Sequence, residues 1–343
     1  MQSVPHGFDD PFSGGHARRR LAQVVAVVVV LGLVAWLAPG LGQVRDTLGD
    51  ARPSWLVLAV VLEAASSACY VLMFRPVFCR KMTWRSAAEL GGAELAVGSL
   101  VPASGVGGLA LGAWALRKTG MPAEAIARRT VAFYVIKSAA NFVAVAVIGV
   151  AMWLGAGPHR SPLLTILPAG LAVVSLAAVA AIPRVGRHEH RGGGRVARLV
   201  GKVVDALSAG VAQAGEILRR GDWRVIAGSL GYWAFDNAVL WAAFRAFGHA
   251  PALTVVLMGY LIGQLGGLLP IPGGLGGIDG GLIGTLVVFG VAAGVATAAV
   301  FAYRLILFGL PLVLGGVAFA SLRRGMLDPE RPDLFDRQAA AAA

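Results

Sequence analysis

The sequence predicts an all-α polytopic membrane protein, and three observations carry that prediction. Apolar runs of about twenty residues, the length a helix needs to cross the hydrocarbon core, recur along the chain, beginning with LAQVVAVVVVLGLVAWLA (Leu21 to Ala38) and SWLVLAVVLEAASSACYVLMF (Ser54 to Phe74). Hydrophobic residues make up 57% of the 343 and charged residues only 14%, with a mean hydropathy of +0.72, so most of the chain prefers hydrocarbon to water. The cations cluster beside the ends of the apolar runs, as the positive-inside effect places them.

That placement also accounts for the net charge of +12 and sets aside nucleic acid as a partner. The two cysteines, Cys69 inside an apolar run and Cys79 in a basic stretch, do not make a disulfide framework. Residues 1–20, including HGFDDPFSGGH, read as a disordered cytoplasmic tail. The run that follows Arg18, Arg19 and Arg20 is too long for a signal peptide and lacks a small-residue cleavage site, so it is expected to stay as the first span.

Basic clusters stand at Arg18 to Arg20, Arg75 to Arg85, Arg117 to Arg129, Arg184 to Arg224 and Arg323 with Arg324. Assigning all of them to the cytoplasm gives spans at 21–38, 54–74, 124–154, 163–182, 225–247 and 295–322, with both termini cytoplasmic. Residues 86–116 and 252–292 must then enter the membrane and return to the side they left, either as two short helices each or as re-entrant hairpins. The expectation is about eight membrane helices, or six spans plus two helical hairpins. The organisation reads as tail 1–20, first membrane half 21–182, cytoplasmic connector 183–224, second half 225–322 and cytoplasmic tail 323–343. Within the connector, Arg195 to Arg220 places Val196, Leu199, Val203, Leu207 and Val211 on one helical face, the pattern of a helix resting on the interface.

Both returning regions carry proline and a glycine cluster at their centre, LVPASGVGG (Leu100 to Gly108) and LLPIPGGLGG (Leu268 to Gly277). A shift of 169 residues superimposes Gly105 on Gly274, Gly108 on Gly277, Gly112 on Gly281 and Tyr134 on Tyr303. The helices after the two hairpins cross in opposite senses under this topology. The halves therefore read as an inverted repeat, an architecture whose substrate sites form near the midplane where broken helices meet. Non-helical backbone is tolerated in a bilayer only where protein or a water-filled cavity surrounds it. A helix starting at Gly277, after Gly273, Gly274 and Gly276, would aim free N–H groups at an anion such as phosphate.

PGGLGGIDGG, the apolar helix with Tyr303 and Arg304, and Leu310 with Pro311 resemble the second-half signature of the lysylphosphatidylglycerol synthase transmembrane (flippase-like) family. LVPASGVGG and its basic sequel resemble the first half, and the likeness covers most of residues 20–322. The resemblance implies an eight-span fold and, from one branch, the flipping of aminoacylated phosphatidylglycerol between leaflets. Asp279 stands where the family commonly has an acid. Gly107, Gly108 and Leu109 replace the usual Gly-Glu pair and arginine, so the first-half site is expected to be altered. The chain ends in LDPERPDLFDRQAAAAA, so a soluble aminoacyl-transfer domain is expected to be missing.

Charges inside apolar segments normally face a partner or a cavity. Glu63, Glu94, Lys137, Asp236, Asp279 and Arg304 are of this kind, while Glu89 reads as a solvated helix end. Tyr134, Lys137 and Asn141 share a helical face at i, i+3 and i+7, with Tyr303 and Arg304 in the matching place of the other half. Lys137 and Arg304 are the expected phosphate ligands, Arg304 as a bidentate fork. Asp279, Glu94 and Asp236 would balance them or accept a coupling proton. No catalytic triad, zinc spacing or Walker motif is present in the sequence, so neither an enzyme nor a cofactor is expected.

The reading is a transporter in a bacterial plasma membrane that moves an anionic lipid between leaflets, either an aminoacylated phospholipid or a polyprenyl-phosphate-linked sugar. An integral membrane transferase acting on a lipid phosphate, with Asp279 or Glu94 as base, and an accessory component of an envelope complex are the alternatives. Membrane lipids are the expected partners, with a homo-oligomer or envelope-biosynthesis proteins as further ones.

Overall fold

The computed structural model describes residues 51–80, 82–100, 106–118, 121–158, 161–185, 195–249, 251–265 and 277–327. The expected first span at 21–38, both tails and the tips of the two interrupted regions, with Gly273, Gly274 and Gly276, lie outside the described residues. Among those described there are ten helices and no strand.

They are α1 (Pro53–Phe78), α2 (Trp84–Leu100), α3 (Val106–Lys118), α4 (Ala123–Trp153), α5 (Ile166–Val185), α6 (Arg195–Arg219), α7 (Trp223–Ala246), α8 (Leu253–Leu265), α9 (Gly277–Val288) and α10 (Ala293–Leu327). By length and composition α1, α4, α5 and α10 can each cross a membrane, while α8 and α9 are shorter apolar helices. The two returning regions are therefore each built from two short helices, α2 with α3 and α8 with α9. Local sequence sets the ends. Pro53 opens α1 at its first turn, where a missing N–H costs nothing. The Asp222 side chain caps α7 by accepting the backbone N–H of Arg224 at 3.1 Å. The Arg52 N–H donates to the Ala246 carbonyl at 2.8 Å, tying the start of α1 to the end of α7.

The element order repeats. The helices α1 to α4 begin at 53, 84, 106 and 123, and α7 to α10 begin at 223, 253, 277 and 293, each pair 169 to 171 residues apart. Packing repeats with it: α2 lies against α10 as α8 lies against α4, α2 against α3 as α8 against α9, and α1 against α4 as α7 against α10. The two first helices, α1 and α7, pack most extensively on each other. Gly228 permits this approach, because a Cβ there would stand 2.8 Å from the Cys69 carbonyl oxygen and the Met73 Cβ. Close backbone contact through small residues is how helices associate where lipid supplies no hydrophobic drive.

Apolar side chains point outward from the crossing helices, among them Val57 and Val61 of α1, Leu171 and Val174 of α5, and Val313 and Val317 of α10, as hydrocarbon solvent allows and water would penalise. One sequence expectation needs correction. Glu89 is 7% exposed and accepts from Ser321 Oγ at 2.6 Å and Arg85 Nε at 3.1 Å, because α10 covers its face of α2. The connector helix α6 docks on α4 and α5. Val211 and Ala214 are buried there, and Arg128 Nε donates to Gln213 Oε1 at 3.0 Å, leaving Val203 and Leu207 outward.

Candidate functional site

The polar residues of α1 that turn inward are Glu63, Ser66, Ser67 and Tyr70, spaced i, i+3, i+4 and i+7 on one face. Facing them on α7 are Ser229, Tyr232, Trp233 and Asp236, again at helical spacing. Ser66 Oγ donates to the Tyr232 carbonyl at 3.3 Å, and Ser229 Oγ donates to the Ile136 carbonyl of α4 at 3.0 Å. A polar seam thus runs between the first helices of the two repeats, in a chain whose outer faces are apolar.

Asp236, 4% exposed, is the hub on the second-repeat side. Tyr260 Oη of α8 donates to its Oδ2 at 2.5 Å and Tyr303 Oη of α10 to its Oδ1 at 2.9 Å, so each carboxylate oxygen has a phenol donor. One turn-step further along α10, Arg304 Nε donates to Asp279 Oδ1 in the first turn of α9, an ion pair with side chains 15% and 18% exposed. The α9 N-terminus, expected to offer free N–H groups to a phosphate, carries its own acid there, which suits the helix dipole. The Arg304 guanidinium also stands 5.7 Å and 5.4 Å from the Tyr303 and Phe308 ring centres.

On the first-repeat side Glu94 of α2 is 3% exposed, within hydrogen-bonding reach of the Tyr70 hydroxyl. Gly108 and Gly112 of α3 make room for it. A Cβ at Gly108 would collide with the Glu94 carbonyl oxygen, and one at Gly112 would stand 3.0 Å from Glu94 Oε2. Lys137 of α4 places its ammonium 4.7, 5.5 and 5.8 Å from the ring centres of Tyr134, Tyr232 and Tyr70, in the range where ring faces attract cations. It lies in electrostatic reach of both Glu94 and Asp236, and Asp236 in turn lies in reach of Arg304.

The structure therefore joins Lys137, Tyr134, Glu94, Asp236, Tyr303, Arg304 and Asp279 in one connected cluster, with Gly277 at the start of α9 beside it. It does not place Lys137 and Arg304 as twin bare cations, since Arg304 already has a carboxylate while Lys137 has aromatic faces. Sequence reading missed Tyr70, Tyr232 and Tyr260, and gave Glu63 no role. The available signal was composition: the chain has five tyrosines, and all five converge on this cluster. Half-buried near the middle of α4, the Lys137 ammonium is the least compensated cation of the set.

A family model described as "Lysylphosphatidylglycerol synthase TM region" matches residues 23–315. Curated relatives include proteins of Methanothermobacter thermautotrophicus (strain Delta H) named "UPF0104 membrane protein". One match is 37% identical over 91 residues, 26% of this chain and 26% of the relative. A second is 30% identical over 112 residues, 32% of this chain and 34% of the relative. A third is 25% identical over 329 residues, 85% of this chain and 94% of the relative. With most of its length matched by that model, and with the membrane helices described above, the chain belongs to the lysylphosphatidylglycerol synthase TM region family.

Proposed function

We propose that this membrane protein moves an anionic lipid between leaflets by alternate exposure of the Lys137–Asp236 cluster, the interrupted helix pairs α2/α3 and α8/α9 acting as gates. In this reading the two four-helix units are oppositely oriented in the plasma membrane, with both termini cytoplasmic. The observation that carries the proposal is the half-buried Lys137 ammonium among three tyrosine rings, between the carboxyl groups of Glu94 and Asp236 and deep among lipid-facing helices. Charged side chains at that depth cost on the order of 2.5–3.5 kcal/mol each and are retained where a substrate path needs them. Of the two head-group classes open from the sequence, the surplus of carboxyls and the tyrosine faces favour one bearing an ammonium beside its phosphate. An aminoacylated phospholipid has that chemistry, whereas a phosphate-linked sugar does not.

Purified protein in vesicles containing fluorescently labelled phosphatidylglycerol or its aminoacylated form tests the proposal. Expected is exchange of label between leaflets that disappears in Arg304→Ala and in Asp279→Asn. Formation of a new lipid species would favour a membrane transferase instead. Neither exchange nor chemistry would favour an accessory role, and full exchange by a well-folded Arg304→Ala would remove that residue from the site.

A further inference from the structure

The acids of the cluster outnumber its cations. Glu94 and Asp236 lie in reach of Lys137, Asp236 and Asp279 in reach of Arg304, and Glu63 adds a fourth carboxyl group beside Asp236, so four carboxyl groups stand against two positive charges. Asp279 is spoken for by Arg304, and Asp236 is held by two tyrosine hydroxyls. Glu63 has none of this. It is 2% exposed, its Oε2 has no hydrogen-bond partner, and the charged group in its electrostatic reach is another acid, Asp236.

Among the described residues, the cluster members carried by helices packed on α1 are Asp236 and Tyr232 on α7, Glu94 on α2, Lys137 and Tyr134 on α4, and Tyr303 and Arg304 on α10. Of these, Asp236 and Tyr232 interact with Glu63, and neither can neutralise a carboxylate. Along the same seam Ser67 Oγ, Trp233 Nε1 and Asn237 Oδ1 are also buried without partners. Unpaired buried polar atoms in a row are satisfied by water, and a carboxylate without a counter-charge in such a place is neutralised by taking up a small cation.

We propose that Glu63 is a proton-binding site, facing Asp236 across the α1–α7 seam, and that its proton moves with the conformational cycle of the transporter. The step is one proton transfer: a hydronium ion from the aqueous phase loses an O–H bond and becomes water as the Glu63 carboxylate gains one and becomes the acid. Because α1 and α7 are the equivalent helices of the two repeats, a change of charge between Glu63 and Asp236 acts where the repeats would move past one another. The coupling part rests on the transport reading above, whereas the proton site itself does not.

Infrared difference spectroscopy of the full-length protein in phospholipid vesicles, between acidic and alkaline buffer, reads the site without any transported lipid. Expected is a carbonyl stretch of a protonated carboxylic acid that vanishes in Glu63→Gln, shifts in Asp236→Asn and persists in Glu89→Gln. A band unaffected by Glu63→Gln, or no such band in the wild type, overturns the site. Should Glu63→Gln fold poorly, the shift in Asp236→Asn carries the test, and its absence is equally decisive against the site. In a second arm, an imposed proton gradient should change the rate of lipid exchange several-fold in the wild type and leave Glu63→Gln unresponsive. Dependence on a sodium gradient in place of protons would overturn proton coupling. If the Glu63 band appears but no lipid exchanges, the proton site stands and the transport reading fails.

Discussion

Deleting Arg304 tests whether the α9–α10 ion pair serves the fold or the site, because the two roles respond differently to restoring neutrality. In Arg304→Ala the Asp279 carboxylate, 18% exposed in the wild type, loses the ion-pair partner it has among the described residues. Breaking a buried pair from one side costs about 3–5 kcal/mol. The residual exposure of both side chains, 15% and 18%, admits some screening and puts the expected loss at the low end, about 3 kcal/mol. For a chain of this size that corresponds to a fall in Tm of about 4 °C. Intrinsic fluorescence of the eight tryptophans reads the transition in detergent. The double variant Arg304→Met/Asp279→Leu removes both charges and keeps the volume, so it should recover to within about 1 kcal/mol of the wild type, as apolar replacements of buried pairs do. Leaflet exchange should nevertheless remain lost in the double variant. Recovery of exchange together with stability would show that the pair only holds α9 to α10, and would refute its place in the binding cluster.

Two further predictions follow from packing and hydrogen bonding. Gly108→Ala should lower Tm by an amount equivalent to about 1–3 kcal/mol of overpacking, since its new methyl meets the Glu94 backbone. Gly284→Ala in α9 has open space around it and should be neutral or stabilising by about 0.5–1 kcal/mol, so a comparison of the two melting curves checks the assigned crowding. Tyr303→Phe and Tyr260→Phe each remove one donor from a buried carboxylate and should each cost about 1–3 kcal/mol in the same assay. A neutral outcome for both would mean that Asp236 finds other donors.

Much of the architecture was readable in the sequence because membrane segments announce themselves by length, and because the two interrupted regions carry proline and glycine clusters at their centres. The repeat was legible through Tyr134 and Tyr303, a matched pair of a rare residue in register, and the helix starts fall on the same offset. What the sequence could not supply was partnership across long separations. Glu89 looked like a free helix end until Ser321, 232 residues later, closed over it. Arg304 looked like a bare phosphate ligand, yet Asp279 lies one helix earlier and 25 residues back, close enough to be foreseen as a partner but not to be told from a separate charge. The face formed by Glu63, Ser66, Ser67 and Tyr70 was visible as a pattern, but periodicity shows that residues share a face, not which helix they meet.

The composition of the cluster argues for its use. A purely structural polar contact in a bilayer would be most stable when every donor has an acceptor, and the charged groups of the second-repeat side come near that state, Asp236 with two phenols and Arg304 with Asp279, although Trp233 Nε1 and Asn237 Oδ1 stay buried without partners there. The first-repeat side does not, since Glu94 Oε1, Glu63 Oε2 and Asn141 Oδ1 remain buried without partners beside a half-buried lysine. Phenols and ring faces are a cheaper lining than additional charges, because a hydroxyl gives up less hydration than an ion when it leaves water. Five tyrosines gathered near three acceptor oxygens without partners suit the binding capacity proposed above. The asymmetry places that capacity on the Lys137 side, so Lys137→Ala should weaken lipid exchange more than it weakens the fold, while Arg304→Ala should weaken both.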